Sequence, residues 1–187
     1  MYLNYNKPIK LIQRGFTLVE LLIVVIILAI LAAIVIPQFS GATLDAQESA
    51  LDSNLNALRS AIDLYRAQHG GNYPGAVLAT GATCTGGAAG TGAAGSVAAM
   101  TSQLTMFSNA GGGTCNLNVG TATLGPYLRK GIPAEPVTNS SAIAISATAT
   151  PLAPAAATGG WAYSTVTVQI VMNSNANDSH ALAYSSH

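Results

Sequence analysis

Residues 21–36, LLIVVIILAILAAIVI, contain no polar side chain. Phe16, Leu18 and Val19 extend the apolar stretch toward the N-terminus, and Glu20 is the one charge inside it. An α-helix from Phe16 to Ile36 would be about 30 Å long, the thickness of a bilayer's hydrocarbon core. A helix that is apolar on every side belongs in a membrane or deep inside an assembly. Pro37 follows the stretch and is expected to kink or locally break the helix. Beyond it the pattern narrows to one stripe: Leu51, Leu55, Leu58, Ile62 and Tyr65 recur at helical spacing. Gly70, Gly71 and Pro74 then supply a stop signal. An amphipathic continuation over 38–70 should lay this stripe against a globular head. Arg59 and Asp63 stand four apart on it and are expected to pair, for a few tenths of a kcal/mol at most.

Residues 75–95, GAVLATGATCTGGAAGTGAAG, have no periodicity. In SVAAMTSQLTMFSN, residues 96–109, Val97, Met100, Leu104 and Phe107 fall at helical spacing behind Ser96, a capping residue. A short amphipathic helix is predicted, ended by Gly111–Gly113. PYLRKGIPAEP, residues 126–136, is a turn-rich connection. Two strands are predicted after it: a short one at 142–146 and a longer one from Tyr163 to Met172, where Val166, Val168, Ile170 and Met172 alternate with their neighbours. Trp161 is expected in the core. The tail, Asn173–His187, is polar and expected to fray.

Composition changes this picture in one respect. Charged residues make up 7% of the 187-residue chain and hydrophobic ones 50%. So little charge suits a surface that packs against copies of itself or is covered. Charge is also unevenly placed. Lys7, Lys10 and Arg14 all precede the apolar run, which marks the cytoplasmic side of a membrane segment. After residue 15 there remain four basic and seven acidic side chains, a balance of −3. No basic patch suggests a nucleic-acid partner.

A secretory signal peptide also has a basic start and an apolar middle, of 7–15 residues. Here the run continues to Ile36 and contains an acid. Glu20 either snorkels toward the headgroups or awaits a positive partner, because an unpaired carboxylate in hydrocarbon costs a few kcal/mol. Cys84 and Cys115 fall in the part expected to cross the membrane, into an oxidising compartment. A bridge would close a 31-residue interval and contribute about 3–4 kcal/mol by chain entropy; the alternative is two free thiols. Gly90–Gly95 formally matches GxGxxG but has neither a preceding strand nor a following acid at the required distance. His69, His180 and His187 lack metal-ligand spacing, and no G-x-S-x-G occurs. No enzymatic constellation is present in the sequence.

Gly15-Phe16-Thr17-Leu18-Val19-Glu20, preceded by Lys and Arg and followed by an apolar run to Ile36-Pro37-Gln38-Phe39, closely resembles the N-terminus of type IV prepilins and pseudopilins. The resemblance covers about residues 7–45. It implies a leader over residues 1–15 cleaved after Gly15 by a prepilin peptidase, N-methylation of Phe16, and pairing of Glu20 with the Phe16 amine of a neighbouring subunit. Pro37 belongs to the same assembly pattern. The partners implied are copies of the chain in a helical filament, an inner-membrane assembly platform and, before assembly, the membrane itself. The location implied is a single inner-membrane pass, then an extracellular or periplasmic filament.

YRAQHGGNYPG, PYLRKGIPAEPV and GGWAYSTVTVQIVMN more faintly resemble the layout of the major pseudopilin of type II secretion. That subunit often holds calcium in an acidic C-terminal loop. Here Asp178 is the one acid after Glu135, so no cofactor is expected, and a calcium site would rest on Asp178, Asn side chains and carbonyls.

The reading is an α+β chain. Its segments are a leader at 1–15, a membrane or filament-core helix at 16–37, its amphipathic continuation at 38–70, and a head at 71–187. The head has a Gly/Ala-rich loop at 75–123 and a small antiparallel sheet at about 142–172. The expected function is structural: a pilus-like filament subunit, or alternatively the major pseudopilin of a type II secretion system. A membrane-anchored binding protein is the remaining reading.

Overall fold

The computed structural model describes residues 15–147 and 152–187. Residues 1–14 of the expected leader, with Lys7, Lys10 and Arg14, lie outside the described residues. The class is α+β. Contacts divide the chain into two units, up to Ala42 and Thr43–His187.

Helix α1, Leu18–Gln68, is continuous through Pro37, so the expected break does not occur there. A helical proline removes one hydrogen bond, and the turns before and after it continue the ladder. The helix ends where glycine permits it. Gly70 and Gly71 have φ of 63° and 92°, and the Gly71 N–H bonds back to the Arg66 carbonyl at 3.0 Å.

In the second unit the apolar stripe is the core. Leu51, Leu55, Leu58, Ile62 and Tyr65 are buried and pack with Met100, Leu104, Trp161, Tyr163, Ile170 and Met172. Trp161 is the expected anchor; its indole N–H donates to the Pro133 carbonyl at 2.8 Å. Arg59 does not pair with Asp63. Its guanidinium donates instead to the main-chain oxygens of Ile170 (3.3 Å) and His187 (2.6 Å), tying α1 to the sheet and tail.

Helix α2, Val97–Thr105, starts at Ser96, whose hydroxyl accepts the Ala99 N–H at 3.1 Å. It is shorter than predicted. Phe107 belongs to strand β1, Phe107–Ser108, which pairs antiparallel with β2, Thr114–Cys115, and Gly111–Gly113 lie in the turn between them. The side of α2 that faces inward carries Ala99, Met100, Gln103 and Leu104, while Val97 stays exposed. Gln103 organises the Gly/Ala-rich loop. Its Oε1 accepts the Gly75 N–H at 2.7 Å, and its Nε2 donates to the carbonyls of Val77 and Gly112, each at 3.0 Å. Gly92 faces α2 so closely that a Cβ there would overlap the Ala99 main chain. The low-complexity segment is thus a close-packed one, and small residues are its condition.

The second sheet has the order β3-β4-β5, with β3 Ile143–Ser146, β4 Trp161–Ser164 and β5 Ile170–Met172. It is mixed: β3 runs parallel to β4, and β4 antiparallel to β5. The continuous strand predicted from Tyr163 to Met172 is instead two strands and a turn. The Ser164 N–H bonds to the Gln169 carbonyl and the Val168 N–H to that of Ser164, both at 2.9 Å. Folding the segment back places Tyr163 and Ile170 together in one core, which an extended run could not do.

The tail is not frayed. The Asp178 and Tyr184 N–H groups bond to Leu182 (2.7 Å) and Ala176 (3.0 Å). Glu48 on α1 accepts the Ser179 N–H at 2.7 Å and its hydroxyl at 2.8 Å. His187 lies between two carboxylates, Asp52 at 2.8 Å from Nδ1 and Asp178 at 3.2 Å from Nε2.

Candidate functional site

The residues expected to carry assembly lie in the first unit, at the start of α1. Gly15 is exposed, and a Cβ built on it would meet nothing within 4 Å. Phe16 is 76% exposed, and the apolar side chains from Leu18 to Val35 are all exposed as well. The window Leu18–Val35 has a mean hydropathy of 3.3 and is long and apolar enough to cross a membrane.

Glu20 does local work that the sequence reading missed. Its Oε2 accepts the Thr17 N–H at 2.9 Å and the Thr17 hydroxyl at 2.8 Å. The Thr17 hydroxyl oxygen in turn accepts the Glu20 N–H at 3.2 Å. This reciprocal pattern is a capping box: Thr17 is the N-cap, Glu20 the third helical residue, and two otherwise unsatisfied N–H groups are bonded. The signal was present as Thr-x-x-Glu directly before an apolar run. The carboxylate also sits at the positive end of the helix dipole. It is therefore held within the first turn, on the N–H of the residue that follows Phe16.

Residues 11–36 match the prokaryotic N-terminal methylation motif.

The GFTLVE segment lies within that match. The chain is 40% identical over 62 residues to the type II secretion system core protein G of Klebsiella pneumoniae, covering 33% of this chain and 44% of that protein. It is 37% identical over 70 residues to the protein of the same name from Dickeya chrysanthemi, covering 37% and 45%. It is 48% identical over 54 residues to the type IV major fimbrial protein FimA of Dichelobacter nodosus, covering 29% and 35%. The chain thus spans less than half the length of each of these relatives. No solved structure matches it.

The other expected sites fall in the second unit. Cys84 and Cys115 are joined in a disulfide with their Cα atoms 5.5 Å apart, which fastens the Gly/Ala-rich loop to β2. Asp178 lies in the tail. Glu48, Asp178 and His180 each bring one ligand atom within 4.8 Å of the others. The oxygens of Asp178 are already engaged, Oδ1 by the N–H groups of His180 (2.8 Å) and Leu182 (2.7 Å), Oδ2 by His187. Calcium takes six to eight oxygens; two carboxylates in use and an imidazole fit it poorly. A shallow cleft of about 280 Å³ is lined by Arg59, Ile62, Asp63, Tyr73, Val168, Gln169 and Ile170, with neither a serine, a cysteine nor a histidine among them.

Proposed function

We propose that this chain is a structural subunit of a type IV pilus-like filament, processed after Gly15 and polymerised through the first half of α1. One observation carries the reading: the methylation motif is matched on a helical segment, Leu18–Val35, whose apolar residues are exposed all round. Such a surface must be covered by lipid before assembly and by sister helices afterwards, since water is a poor solvent for both states. The location follows: a single inner-membrane pass, then an extracellular or periplasmic filament. The partners are a prepilin peptidase, an inner-membrane assembly platform and copies of the chain. The role is structural rather than catalytic.

In this proposal Phe16 becomes an N-methylated amine, positive at neutral pH. Glu20, held in the first turn by Thr17, supplies the opposite charge to a neighbouring subunit, and the pair fixes register where an unpaired charge would be expensive. Pro37 marks the end of the apolar stretch. Relatives named as a type IV major fimbrial protein and as core proteins of type II secretion are compatible with either filament, the pseudopilus being the alternative.

Mass spectrometry of the mature N-terminus tests the processing. N-methyl-Phe16 is expected; a chain beginning after Ala32 or Ala33 would refute the proposal. Glu20→Val should leave membrane insertion intact and stop or slow polymerisation. Filaments of normal yield and length from that variant would dismiss the pairing role. Loss of exoprotein secretion in a deletion strain, without loss of surface filaments, would assign the pseudopilus.

A further inference from the structure

His69 follows the last turn of α1 and is buried, with 1% of its surface exposed. Its ring stacks on Tyr65, with centroids 3.7 Å apart and planes 8° from parallel, and meets the edge of Tyr127 at 6.1 Å. Both nitrogens are committed. Nδ1 lies 2.8 Å from the Tyr65 carbonyl, which can only accept, so the ring's proton is on Nδ1. Nε2 lies 3.0 Å from the Ser108 hydroxyl, which therefore donates to it. That bond joins the end of α1 to strand β1. Ser108 in turn exchanges two main-chain hydrogen bonds with Leu124, at 2.8 and 2.9 Å, and β1 carries β2 and the disulfide-fastened loop.

We propose that His69 is an acid-sensitive latch whose protonation places an uncompensated charge in the joint with Ser108 and loosens the β1–β2 lobe from the end of α1. A second proton on the ring must sit on Nε2; the Ser108 hydroxyl must then turn from donor to acceptor, and the ring becomes a buried cation. The surroundings offer no counter-charge. From α1 the ionisable neighbour is the Tyr65 phenol, and Arg66 beside it is positive. From β1 there is the neutral Ser108. From the segment after Pro126 there is the Tyr127 phenol, which donates to Gln68 at 2.6 Å, with Arg129 and Lys130 following. Among the described residues no carboxylate pairs with His69. A buried, unpaired charge is relieved by local opening. Burial accordingly pulls the His69 pKa below its ordinary value, and main-chain groups of Tyr65 and Asn109 restore only part of the shift. The effector is the proton, and the latch is independent of the assembly reading.

The test uses the full chain in detergent micelles with ¹⁵N-labelled histidine. Long-range ¹H–¹⁵N spectra should show the Nδ1–H tautomer at neutral pH and a titration midpoint below about 6.5, the ordinary histidine value. Hydrogen-exchange protection at the Ser108 and Leu124 amides should fall several-fold as that ring protonates, with Asp178 and Tyr184 amides in the tail unchanged. His69→Gln, which hydrogen-bonds without titrating, should keep its protection in acid. A midpoint at or above the ordinary value, unchanged protection on protonation, or an equal acid loss in the glutamine variant would each overturn the latch. Should the variant not fold, the wild-type titration and exchange decide alone.

Discussion

Glu135 is a buried carboxylate with no cation beside it among the described residues. Its charge is met by donors instead: the N–H groups of Val137, Thr138, Ser140 and Gly160 and the Thr138 hydroxyl. Burial pushes its pKa up, but these donors outweigh burial and hold it below the ordinary carboxylate value. A carboxylate depressed in this way contributes stability above the unfolded-state pKa of about 4.5 that is lost as pH falls through the lower folded value. Glu135→Gln puts an amide NH₂ among donors and forfeits charge-assisted bonds. It should cost about 1–3 kcal/mol in denaturant unfolding near neutral pH. The gap between variant and wild type should shrink below the ordinary carboxylate range. An unchanged midpoint would mean that water serves those donors equally well.

Among the elements, the β4–β5 turn is where local preference lost. Valine and threonine alternate through Thr165–Val168 as in a strand, yet Val168 has φ of 61°, a left-handed conformation that β-branched residues avoid. Val168→Gly and Val168→Ala remove the same packing but differ in tolerance of that backbone. The glycine variant should be the more stable by about 1 kcal/mol, the reverse of their ordinary order; thermal melts compare them directly. The same contest explains what the sequence disclosed. The stripe from Leu51 to Tyr65, the Ser96 cap and the Gly70–Gly71 stop are written in short-range spacing and were legible. The parallel pairing of β3 with β4 and the turn at Val168 depend on tertiary contacts and were not. At the candidate site, GFTLVE was legible as part of the methylation motif that residues 11–36 match, whereas the bond of Glu20 to Thr17 rests on a Thr-x-x-Glu spacing that the lone charge of an apolar run masks. Gln103 is the hub of the Gly/Ala-rich loop, and no local spacing marks it, because its partners lie 9 to 28 residues away.

At the scale of the whole molecule, two histidines oppose each other in pH. Burial works against charge on His187, but Asp52 and Asp178, one on each nitrogen, outweigh it and raise its pKa above the ordinary value. A raised histidine contributes stability that is complete below its unfolded pKa of about 6.5 and lost as pH rises through the folded value. Mild alkali should therefore loosen the tail, and Asp52→Asn should weaken that dependence; tail-amide exchange against pH measures both. The bond from His187 to Asp52 spans 135 residues, and those from Ser179 to Glu48 span 131. Contacts so distant along the chain are closed late, after much loop entropy has been lost. During synthesis the stripe from Leu51 to Tyr65 emerges long before Trp161 and Met172 exist to cover it. The newborn head is therefore a sticky intermediate, and its survival rests on whatever shields that stripe until the last residues arrive.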